Sequence, residues 1–176
     1  TLRLSGGRGS LNSLDGAPAL PVNRVHCDYT DTSAPVRLRR LMEEGLVEGR
    51  RGERALPRRF AFVNVWRNIA KEPVSKSPLA VCDVNSVNLS SQAWPYEMVY
   101  PDRVGYNMAL GSSNSADHAW YYYPRMTDGE ALLFTCYDSR EKGPRFVFHT
   151  AFEDPSTLPT APERQSVEAR TVAIWD

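Results

Sequence analysis

The chemistry open to this sequence depends first on its histidines, of which there are only three. His26 and Asp28 stand two residues apart in a segment with strand-like alternation, and residues i and i+2 of a strand point to the same side. An imidazole and a carboxylate placed in this way can bind one cation. A His-x-Asp pair is also common by chance, so an ordinary hydrogen-bonded core histidine is the alternative.

His149 offers a second imidazole, in the apolar segment 146–150. Two histidines and one carboxylate can form a facial triad, which leaves three coordination positions on Fe(II) for a cosubstrate and oxygen. We therefore predict that His26, Asp28 and His149 are the metal ligands and the catalytic residues. The remaining histidine, His118, lies among aromatic residues and is interpreted as structural.

Arg164 and Ser166 follow His149 by about fifteen residues and open the last predicted strand. A guanidinium next to a hydroxyl is suited to hold the distal carboxylate of a dicarboxylate such as 2-oxoglutarate. We predict this role for both residues. The alternative is that Arg164 is a surface charge paired with Glu163 or Glu168.

Two further side chains are predicted as secondary contacts to the same cofactor. Asn64 lies in a β-rich segment and can hydrogen-bond the keto-acid carboxylate, although a structural role in the strand is the alternative. Tyr137 can donate its hydroxyl to 2-oxoglutarate, because a buried tyrosine needs a hydrogen-bond partner.

The elements that must position these residues are mostly short strands separated by Pro and Gly turns. One helix is predicted over 36–47, with Ser33 as its N-cap, because apolar residues recur there on one face. Strands are predicted over 22–29, 60–66, 79–83, 106–110, 118–123, 130–137, 145–152 and 166–175. The segment 94–101, which contains two prolines, is predicted to be irregular or an edge strand. This pattern favours an antiparallel β-sandwich or barrel.

Several motifs of this sequence occur together in one known family. They are Arg24–Thr30, Asn64–Arg67, Leu79–Asp83, His118–Pro124, Glu130–Leu133 with Cys136–Ser139, and His149–Phe152. As a set they resemble the hydroxylase/desaturase family of bacterial and fungal secondary metabolism. Its relatives include a cephalosporin 7-methoxylase component, a gibberellin desaturase and AsaB-like proteins. The resemblance covers about residues 22–176.

The resemblance implies a mainly β, double-stranded β-helix (jelly-roll, cupin-like) with one or a few flanking helices. It also implies Fe(II)/2-oxoglutarate-dependent hydroxylation, desaturation or cyclisation of a small molecule by O2. His26, Asp28 and His149 match the family's iron ligands, and Arg164 with Ser166 matches its 2-oxoglutarate clamp. Cys27 replaces the Asn expected between the first two ligands, and its side chain should point away from the metal.

Two other functions remain open at this point. One is an iron-dependent oxidase of the same fold that does not use 2-oxoglutarate. The other is a non-catalytic jelly-roll binding module, in which His26 and His149 are core residues.

Charge and composition restrict the partners of the chain. It has 176 residues with 21 Lys and Arg against 21 Asp and Glu, so its formal net charge at pH 7 is zero. Nucleic acids and anionic membranes favour a basic surplus, so we expect neither as a partner. No apolar run approaches the roughly 20 residues of a membrane helix. Three cysteines without paired short spacing indicate a cytoplasmic protein without a disulfide framework.

The domain organisation is expected to be simple. Residues 1–21, rich in Gly, Ser and Pro, are predicted to form an N-terminal arm, and 22–176 the oxygenase domain. The absence of an initiator Met indicates that residues precede Thr1. Homo-oligomerisation is left open.

Overall fold

Ten β-strands and two α-helices form the part of the chain that the computed structural model describes, residues 2–4, 20–47, 55–99, 101 and 104–175. The helices are α1 (Ser33–Glu43) and α2 (Leu89–Gln92). The strands are β1 (Leu2–Leu4), β2 (His26–Cys27), β3 (Arg59–Asn68), β4 (Leu79–Cys82), β5 (Ala93–Val99), β6 (Val104–Leu110), β7 (Trp120–Tyr122), β8 (Leu132–Asp138), β9 (His149–Ala151) and β10 (Gln165–Trp175).

The strands form two antiparallel sheets. One has four strands in the order β1-β10-β3-β8, and the other has six in the order β5-β6-β2-β9-β4-β7. Neighbours in both sheets come from distant parts of the chain, as in the pairing of β2 with β9 and of β3 with β10. This topology confirms the predicted antiparallel β-sandwich with a flanking helix.

The core lies between the two sheets. Every second residue of β3 faces inward, as alternation along a strand requires. Large apolar side chains of the four-stranded sheet meet smaller ones from the six-stranded sheet. The first set is Phe60, Phe62, Trp66 and Phe134, and the second includes Cys27, Leu79 and Cys82.

Helix α1 begins and ends earlier than the predicted range 36–47. Thr32, not Ser33, is the N-cap residue, and its side chain makes no capping hydrogen bond. The hydroxyl of Thr30 accepts hydrogen bonds from the Thr32 and Ser33 backbone N–H groups instead. At the other end Gly45 adopts φ +69°, and the Leu46 N–H returns to the Leu41 carbonyl. That left-handed glycine ends the helix, although the apolar pattern continues to Leu46.

Two strands near the predicted metal site are much shorter than the sequence pattern indicates. The predicted strand over 22–29 pairs only at His26–Cys27, and the one over 145–152 only at His149–Ala151. The segment over 94–101 is an edge strand, β5, and its Pro95 is tolerated there because an edge strand has one unpaired side.

The predicted arm over 1–21 lies outside the described residues except for 2–4 and 20–21. Leu2–Leu4 pairs with β10, opposite Gln165 to Val167. In the ranges that the structure describes, no helix has the length and apolar character needed to cross a membrane.

Candidate metal centre

Two short neighbouring strands place the two imidazoles side by side. His26 on β2 lies directly opposite His149 on β9 in the antiparallel pairing. Directly opposite residues of such a pair have close Cβ atoms, and the two ring centroids are 4.4 Å apart. Residues that are distant in sequence therefore meet through a single pair of facing positions.

Asp28 completes the group just after β2 ends. One ligand atom from each of His26, Asp28 and His149 lies within 4.8 Å of the others, and all three residues are buried. The Nε2 atom of His26 is 3.6 Å from Oδ1 of Asp28. The sequence-based prediction that these three side chains converge is confirmed.

Backbone carbonyls orient both rings. Nδ1–H of His26 donates to the carbonyl of Arg24 at 2.8 Å, and Nδ1–H of His149 donates to that of Val147 at 3.1 Å. A carbonyl can only accept, so each Nδ1 carries a proton, and in the neutral ring Nε2 then keeps the lone pair that can bind a metal. A metal-binding histidine is commonly held by this kind of hydrogen bond.

Burial and charge set the protonation of the group. Burial, together with the neighbouring imidazole of His149, lowers the pKa of His26 to about 4, so this ring is neutral at pH 7. Burial raises the pKa of Asp28, but Arg170, the two imidazoles and a hydrogen bond outweigh it and hold that pKa well below its usual range. Two imidazoles and one carboxylate are a donor set that suits a divalent transition metal, which binds each imidazole in its neutral form.

Three side chains surround the Asp28 carboxylate. Asn64 Nδ2 donates to Oδ2 at 2.8 Å, and Arg170 Nη2 donates to Oδ1 at 2.9 Å. The thiol of Cys136 lies 3.8 Å from Oδ2. Arg170 was not among the residues predicted from the sequence. Its alternation with Ser166 along β10 is the signal that would have placed both on one face of the strand.

The thiol of Cys27 points away from the ligands, as expected. It donates to the backbone carbonyl of Cys136 at 2.9 Å and belongs to the hydrophobic core.

Arg164 and Ser166 both lie in the protein interior. Arg164 is 3% exposed, so it is not the surface charge of the alternative interpretation. Its guanidinium donates to the Ser77 carbonyl and lies over the Trp66 ring, 5.5 Å from the centroid. Trp66 is two residues from Asn64 on the inner face of β3. Arg164 therefore lies on the same side of the sheet as Asn64.

Tyr137 makes its contacts elsewhere. Its hydroxyl accepts a hydrogen bond from Arg145 at 3.2 Å, and its ring packs on Phe60 and Phe146. Its neighbours in β8, Phe134 and Cys136, are the residues that contact the ligands. The cofactor contact of Tyr137 stays a prediction.

Among the buried polar atoms that lack a hydrogen-bond partner in the described residues, two fit a bound cofactor. They are Oδ1 of Asn64 and Oγ of Ser166, both on fully buried side chains. An unsatisfied buried polar atom is costly, so its presence favours a ligand that completes it. The donor set and these two atoms together fit a divalent metal with a carboxylate-bearing cosubstrate.

Comparisons with known proteins agree with this geometry. The family model described as "Oxidoreductase/YMDC permease-like domain" matches residues 5–174. The hydroxylase/desaturase efuI of Hormonema carpetanum is 33% identical over 171 residues, covering 90% of this chain and 53% of that protein. The Fe(II)/2-oxoglutarate-dependent dioxygenase nvfI of Aspergillus novofumigatus is 30% identical over 163 residues, covering 93% and 56%.

The fold is also that of a solved enzyme. A variant of the iron and alpha-ketoglutarate-dependent endoperoxidase NvfI superposes with a TM-score of 0.77 at 25% identity, covering 99% of this chain and 59% of that one. This likeness confirms the predicted jelly-roll fold. The chain spans about half the length of the curated relatives it matches. The chain belongs to the oxidoreductase/YMDC permease-like domain family. Its relatives named hydroxylase/desaturase confirm the resemblance that the sequence motifs indicated.

Proposed function

We propose that this chain is the metal-binding domain of an Fe(II)/2-oxoglutarate-dependent oxygenase. Its substrate would be a small-molecule natural-product intermediate, which it hydroxylates, desaturates or cyclises with O2. The convergence of His26, Asp28 and His149 on one point is the observation that carries this proposal. The names of its relatives, hydroxylase/desaturase and Fe(II)/2-oxoglutarate-dependent dioxygenase, support the same reaction class.

In this proposal the three converging residues hold the ferrous ion. His26 and His149 contribute Nε2, and Asp28 contributes a carboxylate oxygen. When bound, the ion and 2-oxoglutarate supply the oxidising chemistry that acts on a C–H bond. Phe134 packs on the His149 ring at 4.7 Å between centroids and gives that side of the centre an apolar wall that excludes water.

The cosubstrate would be held at the inner face of the four-stranded sheet. Arg164 and Ser166 bind its distal carboxylate, since Arg164 is a buried cation and the buried Ser166 hydroxyl has no hydrogen-bond partner in the described part of the chain. Asn64 uses its unpaired Oδ1 toward the metal-bound ligands while its Nδ2 holds Asp28. Tyr137 is the fourth proposed cofactor contact.

The domain organisation and the cellular location stay proposals, based on the sequence. We propose an oxygenase domain over 22–176 preceded by an arm over 1–21, and a cytoplasmic location. The three cysteines support that location because all are free and buried. We further propose that the domain works without nucleic acid or membrane partners. Homo-oligomerisation of the domain stays open in this proposal.

Anaerobic titration tests the proposed function. Adding Fe(II) and then 2-oxoglutarate to the protein should produce the weak visible charge-transfer band of a chelated keto acid. His149→Ala should remove both the band and iron binding, because one of three ligands is lost. If wild-type protein binds no iron, the proposal is wrong and the binding-module alternative is favoured.

The clamp is tested separately. Arg164→Ala should raise the 2-oxoglutarate concentration needed for turnover by about tenfold or more, with little change in iron content, because a charge-assisted contact is lost. Succinate formed in step with product distinguishes this enzyme from an oxidase that does not use 2-oxoglutarate. An Arg164 variant that matches wild type at every 2-oxoglutarate concentration would contradict the clamp assignment.

A further inference from the structure

A cation lies beside the metal-binding carboxylate, and no established role accounts for it. Arg170 on β10 is directly opposite Asn64 on β3, and its Nη2 is 2.9 Å from Oδ1 of Asp28. Its Nε is 3.4 Å from Oε1 of Glu168, a carboxylate whose side chain is 5% exposed. The Arg170 side chain is itself 42% exposed. The guanidinium therefore joins two buried carboxylates at the edge of the site.

The Asp28 carboxylate does not need Arg170 for all of its orientation. Its Oδ2 accepts from Asn64 at 2.8 Å, while its Oδ1 accepts from Arg170, since the nearby His26 Nε2 keeps its lone pair and cannot donate. What Arg170 adds, and the neutral amide of Asn64 does not, is a full positive charge within hydrogen-bond distance of a metal ligand.

The positive charge of Arg170 affects the binding of the metal ion and the binding of the cosubstrate in opposite directions. A divalent ion is repelled by a neighbouring guanidinium, whereas a dicarboxylate is attracted by it. With a divalent ion bound, Asp28, Glu168 and Arg170 leave the site with a formal charge of +1, and without Arg170 the formal charge would be zero. Removing Arg170 would therefore weaken the attraction of this end of the site for a dianion, in addition to whatever Arg164 contributes at the distal carboxylate.

We propose that Arg170 sets the charge of the metal centre, lowering its affinity for the divalent ion and raising the affinity of the metal-loaded centre for the dianionic cosubstrate. Glu168 holds the guanidinium in place and moderates its charge. Arg170 is thus a positioning and charge-balancing residue, and the inference rests on the proposed function of the His26, Asp28 and His149 site.

Opposite changes in two affinities distinguish this role from a purely structural one. We expect Arg170→Gln to bind Mn(II) about tenfold more tightly than wild type, because the repulsion is removed. The Mn(II)-loaded variant should bind 2-oxoglutarate about tenfold more weakly. Anaerobic isothermal titration calorimetry measures both constants without turnover. A residue that only shaped the Asp28 carboxylate would weaken Mn(II) binding when removed, and that result would overturn the proposal, as would unchanged affinities.

Three companion variants complete the test. Arg170→Lys keeps the charge and should stay within about threefold of wild type for both ligands. Arg67→Gln removes the same charge from the opposite, exposed face of the adjacent strand β3 and should change neither affinity. Glu168→Gln should act in the opposite direction, weakening Mn(II) binding and tightening 2-oxoglutarate binding. It therefore decides the matter even if Arg170→Gln proves unstable in thermal unfolding.

Wild-type protein separates the two levels of the proposal. If it binds no Mn(II), the proposed function fails. If it binds Mn(II) and 2-oxoglutarate but Arg170→Gln does not shift the two affinities in opposite directions, only the role of Arg170 fails.

Discussion

Two asparagines on one face of β3 do different work. Asn64 and Asn68 are both fully buried and four residues apart. Asn64 donates to the carboxylate of Asp28. Asn68 instead hydrogen-bonds to backbone groups of the loop that follows β3 and of Met126. Substituting each in turn separates support of the metal site from support of the fold.

Asn64→Ala should weaken divalent metal binding by about tenfold to a hundredfold, because a hydrogen-bond partner of a ligating carboxylate is lost. Mn(II) titration of the purified variant measures the effect. Metal affinity equal to that of wild type would contradict a supporting role for Asn64.

Asn68→Ala should instead lower the free energy of unfolding, by about 2 kcal/mol or more. Its Nδ2 donates to the carbonyls of Ala70, Glu72 and Met126, and its Oδ1 accepts from the Ala70 N–H, so truncation leaves buried backbone groups unpaired. Urea unfolding measures the loss. Metal affinity per folded molecule should be unchanged, and a large loss of affinity with little loss of stability would contradict this division.

At this scale the sequence was sufficient for residues whose chemistry is local. A spacing of two was enough to predict that His26 and Asp28 point to the same side, although Asp28 lies just after β2 ends. An imidazole in an apolar strand needs a partner, which pointed to His149. Arg170 could not be assigned in the same way, because its role depends on a contact with Asp28, at the far end of the chain. Tyr137 was predicted from its residue type, but its hydroxyl partner in the structure is Arg145.

Among the elements, helix α1 is attached to the core through a narrow stripe. Leu38 is fully buried, whereas Leu46, in the turn after the helix, is 68% exposed. The helix is also joined to β6, since Ser33 Oγ donates to the Tyr106 carbonyl. The stability that α1 contributes should therefore depend on a few positions.

A matched pair of leucine substitutions tests this view. Leu38→Ala should lower the free energy of unfolding by about 3 kcal/mol through lost burial and a new cavity. Leu46→Ala should change it by no more than about 0.5 kcal/mol. Chemical denaturation gives both values, and equal effects would show that the predicted apolar face extends through Leu46.

Element boundaries near the metal centre were the least predictable part of the fold. The alternation of residue types over 22–29 predicts which side chains face inward. The length of a strand depends instead on how many of its residues have a neighbouring strand to pair with. There β2 meets β9 only at His26 and His149. The end of α1 was set by Gly45, whose left-handed conformation stops the helix while the apolar pattern continues.

For the whole molecule, one ion-pair network joins β3 to β8 and makes stability depend on pH. Arg59 binds the Asp138 carboxylate with two hydrogen bonds, of 2.7 and 3.2 Å, and the Arg140 N–H donates to the same group. Burial raises the pKa of Asp138, but the hydrogen bonds and charges of Arg59 and Arg140 outweigh it, so the net pKa is lowered.

Asp138→Asn should therefore reduce stability mainly above pH 4. The carboxylate contributes fully above its unfolded-state pKa of about 4, and this contribution is lost as pH falls through the lower folded-state pKa. We expect a loss of about 1–2 kcal/mol at pH 7 that shrinks toward pH 3. Urea unfolding at pH 3, 5 and 7 measures it, and a loss that is constant across these pH values would rule out the linkage.

At the scale of the molecule, the fold class was predictable while the strand partners were not. Many short strands with Pro and Gly turns allow few architectures besides a sandwich or barrel, and the family motifs narrowed these to a jelly-roll. The sequence alone does not state that β10 lies between β1 and β3, or that β2 lies between β6 and β9. Those neighbours are fixed by long-range packing.

The facing positions of His26 and His149, about 120 residues apart in the chain, have a consequence for biosynthesis. A nascent polypeptide that has emerged only as far as β8 contains His26 and Asp28 but not the second imidazole. With one of three ligands missing, it would hold a ferrous ion only weakly. Iron binding would therefore wait until β9 has left the ribosome and folded against β2. Because the complete site exists only in the folded domain, the bound ion would then stabilise the domain against unfolding.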